Sequence, residues 1–212
     1  MNSIYKFNIN IKSLFTIIIL IIIINGVLML QERNSLKCFL RNANNSLGYL
    51  FASNDKDPSS FDRMISTLPL DEVADTDMIK WELIAFDEEI KNNLFLIKNV
   101  KYNEFLCASK YHSDKTRQKR KVIGWKLKFG INQKINVLGH MVNALDMMRE
   151  EKKCIWKLGN VNFNKYVILN AHYNEPIFPV INANVYAWHR SDVNGIEFNW
   201  FIDCVTIDFN KK

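Results

Sequence analysis

Three stretches of this chain read alike. Residues 38–53 are CFLRNANNSLGYLFAS, residues 95–109 are FLIKNVKYNEFLCAS, and residues 166–180 are YVILNAHYNEPIFPV. Tyr-Asn-Glu stands at 102–104 and again at 173–175, and Asn42, Asn99 and Asn170 each close a short apolar run. Repetition of this kind constrains the architecture more than composition can. A unit too small to bury its own apolar face must bury it against its copies.

Each copy opens with an apolar strand (38–41, 95–98, 166–169), then an Asn-containing turn and a second strand (49–53, 105–109, 177–180). Asn, Gly and Tyr-Asn-Glu suit tight strand-to-strand connections. A polar loop leads to a third strand (64–67, 122–125, 185–188), in which Val-Ile-Gly-Trp and Val-Tyr-Ala-Trp share a valine, a small residue and a tryptophan. A fourth strand forms around Trp81, Trp156 and Trp200. Apolar residues alternate with outward-facing ones, the period of a half-buried strand.

Two insertions separate third and fourth strands. Residues 68–79 (LPLDEVADTDMI) are acidic. In residues 130–152, Ile135, Leu138, Val142, Leu145 and Met148 fall at helical spacing, which predicts one amphipathic helix with its apolar stripe against the protein.

Twelve strands remove their exposed edges most economically by closing into a barrel. The pattern resembles the β-trefoil superfamily, in which three four-stranded units surround a pseudo-threefold axis. The resemblance covers residues 36–205. The Tyr-Asn-Glu turn followed by Phe-Leu-x-Ala-Ser is similar to a group of small secreted insect proteins with trefoil repeats. The expected fold class is therefore all-β, a β-trefoil with one inserted helix and an N-terminal signal segment.

The first 26 residues read as an address. Lys6 and Lys12 precede the apolar run 13–24, and Asn25-Gly26 follows, the order of a secretory signal peptide cleaved near Gly26. Counting on through residues 27–30 gives the alternative, an uncleaved anchor. Residues 206–212 read as a tail. A secreted chain meets an oxidising environment, where Cys38, Cys107, Cys154 and Cys204 form an even set suited to two disulfides. Four cysteines allow three pairings. Because the ends of a trefoil lie side by side, the resemblance implies Cys38–Cys204, leaving Cys107–Cys154. Asn44-Asn45-Ser46 is a glycosylation acceptor in a predicted turn, with Asn44 the modified residue.

No catalytic constellation emerges. His112, His140, His172 and His189 lack metal-ligand spacing, and no CxxC pair supports a zinc site. Neither a Gly-x-Ser-x-Gly elbow nor a Gly-rich phosphate loop is present. Glu104 and Glu175 stand at equivalent turns of two repeats. A glycosidase needs two carboxylates across one cleft, so these two are expected to fix their turns. The ricin-like sugar site needs Gln-x-Trp, and Ile79, Cys154 and Phe198 occupy the glutamine positions, so the three tryptophans are expected in the core. No cofactor or metal is expected, and no catalysis.

The formal charge is +6, or +4 without the leader, too small to imply a nucleic-acid partner. It is unevenly spread. Between Lys110 and Lys121 six basic residues face only Asp114, in the polar connection between second and third strands. As an exposed loop, Lys115, Arg117, Lys119, Arg120 and Lys121 would bind an anionic glycan or an acidic extracellular protein. Arg117-Gln-Lys-Arg120 also has the form cut by secretory processing proteases. The expected protein is secreted, monomeric and non-catalytic, with no membrane partner unless the leader is retained. The alternative is a trefoil-type protease inhibitor acting through an exposed loop.

Overall fold

The computed structural model describes residues 35–205 apart from 59, 86–92, 115–118, 128–133, 138–139, 144–152, 163, 181–183 and 189–194. The expected leader and tail lie outside the described residues.

Fourteen strands are present among them: β1 (Ser35–Asn42), β2 (Tyr49–Lys56), β3 (Arg63–Leu68), β4 (Lys80–Ala85), β5 (Leu94–Asn99), β6 (Phe105–Asp114), β7 (Lys119–Trp125), β8 (Lys134–Val137), β9 (His140–Asn143), β10 (Ile155–Asn162), β11 (Lys165–Asn170), β12 (Ile177–Pro179), β13 (Val185–Trp188) and β14 (Asn199–Val205). Twelve of them are the strands expected from the repeats, most extended by a residue or more. The first and fourth strands of all three repeats form a closed circuit of neighbours, β1–β4–β5–β10–β11–β14 and back to β1. The remaining hairpins, β2–β3, β6–β7 and β12–β13, meet one another through β3–β7 and β7–β13 pairing and a bridge between Ser66 and Asn184. Connectivity is thus the same in each repeat.

The recurring residues explain why. Trp81, Trp156 and Trp200 are fully buried. Each indole N–H donates to a carbonyl of its own repeat's second strand, that of Leu50 (2.9 Å), Leu106 (2.7 Å) and Ile177 (3.3 Å). Burying the ring contributes roughly 2–3 kcal/mol, and the bond removes the cost of an unpaired indole N–H. The expected place of these tryptophans in the core is the observed one.

Asn42, Asn99 and Asn170 are buried polar residues that hold the turns. Asn99 donates from Nδ2 to the Met78 carbonyl (2.9 Å) and accepts at Oδ1 from the backbone of Lys101 and Tyr102 (3.1 and 3.2 Å). Asn170 does the same with Lys153, His172 and Tyr173, and Asn42 with Glu197 and Asn44. One side chain thereby satisfies backbone groups that a turn leaves without strand partners.

Backbone N–H groups of Asn42, Asn99 and Asn170 donate to the carbonyls of Gly48, Glu104 and Glu175, so these three positions correspond. Gly48 has φ +73°, and a Cβ there would fall on the Leu68 carbonyl. Gly48→Ala is therefore expected to cost about 2–3 kcal/mol in urea denaturation. A cost within experimental error would mean that the 42–48 turn adopts another path.

Two sequence expectations need correction. The helix expected over 130–152 is not what residues 134–143 form: β8 and β9 pair antiparallel in a separate hairpin, with Val137 opposite His140. Ile135, Val137 and Val142 are β-branched, so strand propensity outweighs the spacing. Residues 144–152 lie outside the described residues. The basic run, expected as a loop, is largely strand, because β6 continues to Asp114 and β7 begins at Lys119.

The acidic insertion forms two short 3-10 turns, Leu70–Glu72 and Thr76–Met78. Asp75 caps the second by accepting from the Asp77 N–H (2.9 Å). That bond, and then Lys101 at 3.1 Å, hold its carboxyl below the usual aspartate range, and Asp75 in turn raises the Lys101 ammonium. The capping contribution is present above the ordinary aspartate pKa and is lost as pH falls through the lowered value.

Candidate functional site

Three of the five residues expected to bind anions fall among the described residues. Lys115 and Arg117 lie outside the described residues. Lys119, Arg120 and Lys121 are on β7, and the last two are paired with carboxylates. Arg120 donates through Nε to Glu175 (3.1 Å to Oε1) and through Nη1 to the Lys110 carbonyl (2.7 Å), and its guanidinium lies 3.7 Å from the Tyr173 ring centroid. Lys121 forms an ion pair with the buried Asp57. Lys119 Nζ is 4.8–6.0 Å from the ring centroids of Trp188, Phe178 and Tyr186. Cleavage after Arg120 would have to draw two paired residues out of a strand.

The Arg120 arrangement has a counterpart that sequence reasoning missed. Arg63 on β3 donates to both Glu104 oxygens, from Nε at 2.7 Å and Nη2 at 3.3 Å. Its Nη1 reaches the Ser53 carbonyl (2.7 Å) and its guanidinium stacks 3.4 Å from the Tyr102 ring centroid. An arginine from the third strand of one repeat is thus held between the tyrosine and glutamate of the next repeat's Tyr-Asn-Glu turn. The asparagine between them adopts a left-handed backbone, φ 54° at Asn103 and 55° at Asn174, which asparagine tolerates well. Arg63 is opposite Gly124 in the β3–β7 register and Arg120 opposite Ala187 in β7–β13. A Cβ on Gly124 would lie 3.0 Å from both the Arg63 Cβ and Glu104 Oε2. The small residue shared by Val-Ile-Gly-Trp and Val-Tyr-Ala-Trp makes room for the arginine. The available signal was the arginine two residues before Ile65 and Val122.

At the first repeat's turn, Gly48 replaces the glutamate, and the residue two before Val185 in the third repeat is Ala183. Both charges are missing together, so neither is stranded. The Glu104 and Glu175 carboxylates are spent on these arginines, and it is their backbone carbonyls that accept within the turns.

Cys38 is bonded to Cys204 and Cys107 to Cys154. Asn44 is partly exposed, and its Oδ1 accepts from the Ser46 N–H (3.3 Å) and hydroxyl (2.8 Å). Among the described residues, no group of three or more His, Cys, Asp or Glu side chains could hold a metal, and no helix is long and apolar enough to cross a membrane.

No protein-family model matches the chain, and no curated protein does. Solved structures do. One is ThreeFoil, a designed threefold-symmetric protein (15% identity, 79% of this chain and 97% of that one, TM-score 0.53). Another is a salivary protein from Culex quinquefasciatus of the cysteine- and tryptophan-rich family (18% identity, 80% and 93%, TM-score 0.54). A third is the Polyporus squamosus lectin, solved with a sialylated influenza-binding epitope (14% identity, 80% and 49%, TM-score 0.53). The fold is β-trefoil-like. At these identities the likeness extends to the fold alone.

Proposed function

We propose that the chain is a secreted, non-catalytic binding protein that takes an anionic glycan or an acidic protein surface through the basic residues of segment 110–121. The observation that carries this reading is the concentration of charge: six basic residues against one acid in residues 110–121. Arg120 and Lys121 already hold Glu175 and Asp57. Lys115, Arg117 and Lys119 are accordingly the contact residues. The two disulfides suit an oxidising compartment. The trefoil-like neighbours include a lectin, which makes glycan the first ligand class to test. Asn44 is the acceptor for the protein's own glycan in this reading.

Salt elution from heparin tests the proposal, comparing wild type with Lys115→Gln/Arg117→Gln/Lys119→Gln and leaving Arg120 and Lys121 in place. Late elution of the wild type and much earlier elution of the variant are expected, because exposed charge contacts weaken steeply with salt. Equal elution of the two would sink the hairpin reading. Intact mass of the same samples reports leader removal, the Asn44 glycan and any cut after Arg120.

A further inference from the structure

We infer that the outer face of β1, β14 and β11 carries a second anion-binding site, in which Arg41 and Lys165 flank Phe201 and receive a sulfate or carboxylate group of an acidic saccharide. The inference goes beyond the hairpin reading and does not depend on it.

Strand register makes the site. Arg41 of β1 is opposite Phe201 of β14, and Phe201 is opposite Lys165 of β11, so the three side chains form a row across three adjacent strands. Cys38, Leu40 and Asn42 on β1 and Trp200 on β14 are inside. Alternation therefore turns Arg41 and Phe201 outward, and both are partly exposed, as is Lys165. The Arg41 guanidinium is 4.4 Å from the Phe201 ring centroid, and Lys165 Nζ is 5.7 Å from it. Arg41 Nη1 also donates to Asn45 Oδ1 (3.1 Å). Stacking and this bond fix the plane of the guanidinium before any ligand arrives.

The charges on this row differ from six others on the protein. Arg63, Arg120, Lys80, Lys98, Lys101 and Lys121 each face a carboxylate. Arg41 and Lys165 form no ion pair among the described residues. Asp203, two residues beyond Phe201 and opposite Phe39, forms none with them either. Two cations spaced by one aromatic ring, with remaining guanidinium donors outward, suit a planar or tetrahedral oxyanion. A saccharide fits better than an acidic peptide. β14 is paired on both sides, so no strand edge is open for a peptide backbone to add to. The exposed Asn45, whose Oδ1 already holds Arg41, can offer its amide N–H groups to sugar hydroxyls.

The test is titration of isotope-labelled full-length secreted protein with a heparin-derived hexasaccharide, read by backbone amide shifts and by calorimetry. Shifts at Arg41, Phe201 and Lys165 are expected, and Arg41→Gln/Lys165→Gln should weaken this site by about tenfold or more without lowering the melting temperature. Arg41→Lys, which keeps charge but loses the fork, should fall between. Shifts confined to the 110–121 hairpin would overturn this inference while leaving the hairpin reading standing. Shifts on the β1–β14–β11 face alone would do the reverse. Binding of poly-glutamate there with no saccharide binding would overturn the ligand class.

Discussion

Replacing Glu104 with alanine is expected to destabilise the protein by about 3–5 kcal/mol, measured as a shift in the urea midpoint at constant m-value. Both partners are buried, with side-chain exposures of 9% for Arg63 and 7% for Glu104. Alanine at 104 would leave a guanidinium in a desolvated site with one face on Tyr102 and no counter-charge. The size of the effect measures that stranded charge rather than the net worth of the pair. Arg63→Met/Glu104→Leu should therefore recover most of the loss, since matched apolar groups often replace a buried pair at little cost. Asp77→Ala supplies the contrast. It removes a solvent-screened pair with Lys80, whose side chains are 26% and 49% exposed for lysine and aspartate, and should cost less than about 1 kcal/mol. Equal costs for Glu104→Ala and Asp77→Ala would show that the first pair is also solvated.

Loss of the Cys38–Cys204 disulfide ranks beside it. Its sequence separation is 166, against 47 for Cys107–Cys154. The chain-entropy model assigns about 5 kcal/mol to the first and about 4 to the second, and measured losses commonly fall between about 2 and 5 kcal/mol. Cys38→Ser/Cys204→Ser is expected to lower stability more than Cys107→Ser/Cys154→Ser when both are denatured in urea without reductant. The second bridge is buried at both cysteines while Cys204 is exposed, so mild reductant should open the first bridge sooner. If both double variants fell within about 1 kcal/mol of wild type, neither bridge would be structural.

The strands were legible because their signals are local and repeated. A fourth-strand tryptophan, an asparagine ending an apolar run and a small residue directly before a third-strand tryptophan recur in the sequence at matching places. Each serves one turn or one ladder. Burial of Trp81, Trp156 and Trp200 followed from the missing glutamine two residues before each. The hairpin at 134–143 was misread because Ile135, Leu138 and Val142 satisfy a helical period while their neighbours satisfy a strand period. Over so short an apolar stretch spacing alone does not separate the two.

The site was harder to read for a different reason. Charge density along the chain marks Lys115 to Lys121 but says nothing of where each charge is neutralised. Arg120 and Lys121 meet Glu175 and Asp57, which are 55 and 64 residues away. Arg41, Phe201 and Lys165 carry no linear signal at all, being brought together by register across β1, β14 and β11. Arg63 likewise meets Glu104 at a separation of 41 residues, which its own stretch of sequence does not announce.

The two arginine clamps and the first disulfide together show how the repeats are fastened. Arg63–Glu104 joins the first repeat to the second and Arg120–Glu175 the second to the third. Between the third and the first that fastening is absent, and Cys38–Cys204 spans β1 and β14 instead. Two joints are ionic where the backbone already crosses from repeat to repeat, and one is covalent where it does not. Oxidation of Cys38 and Cys204 would then act as the final assembly step. A chain held in a reducing compartment would have two of its three joints made and the third dependent on strand pairing and packing alone.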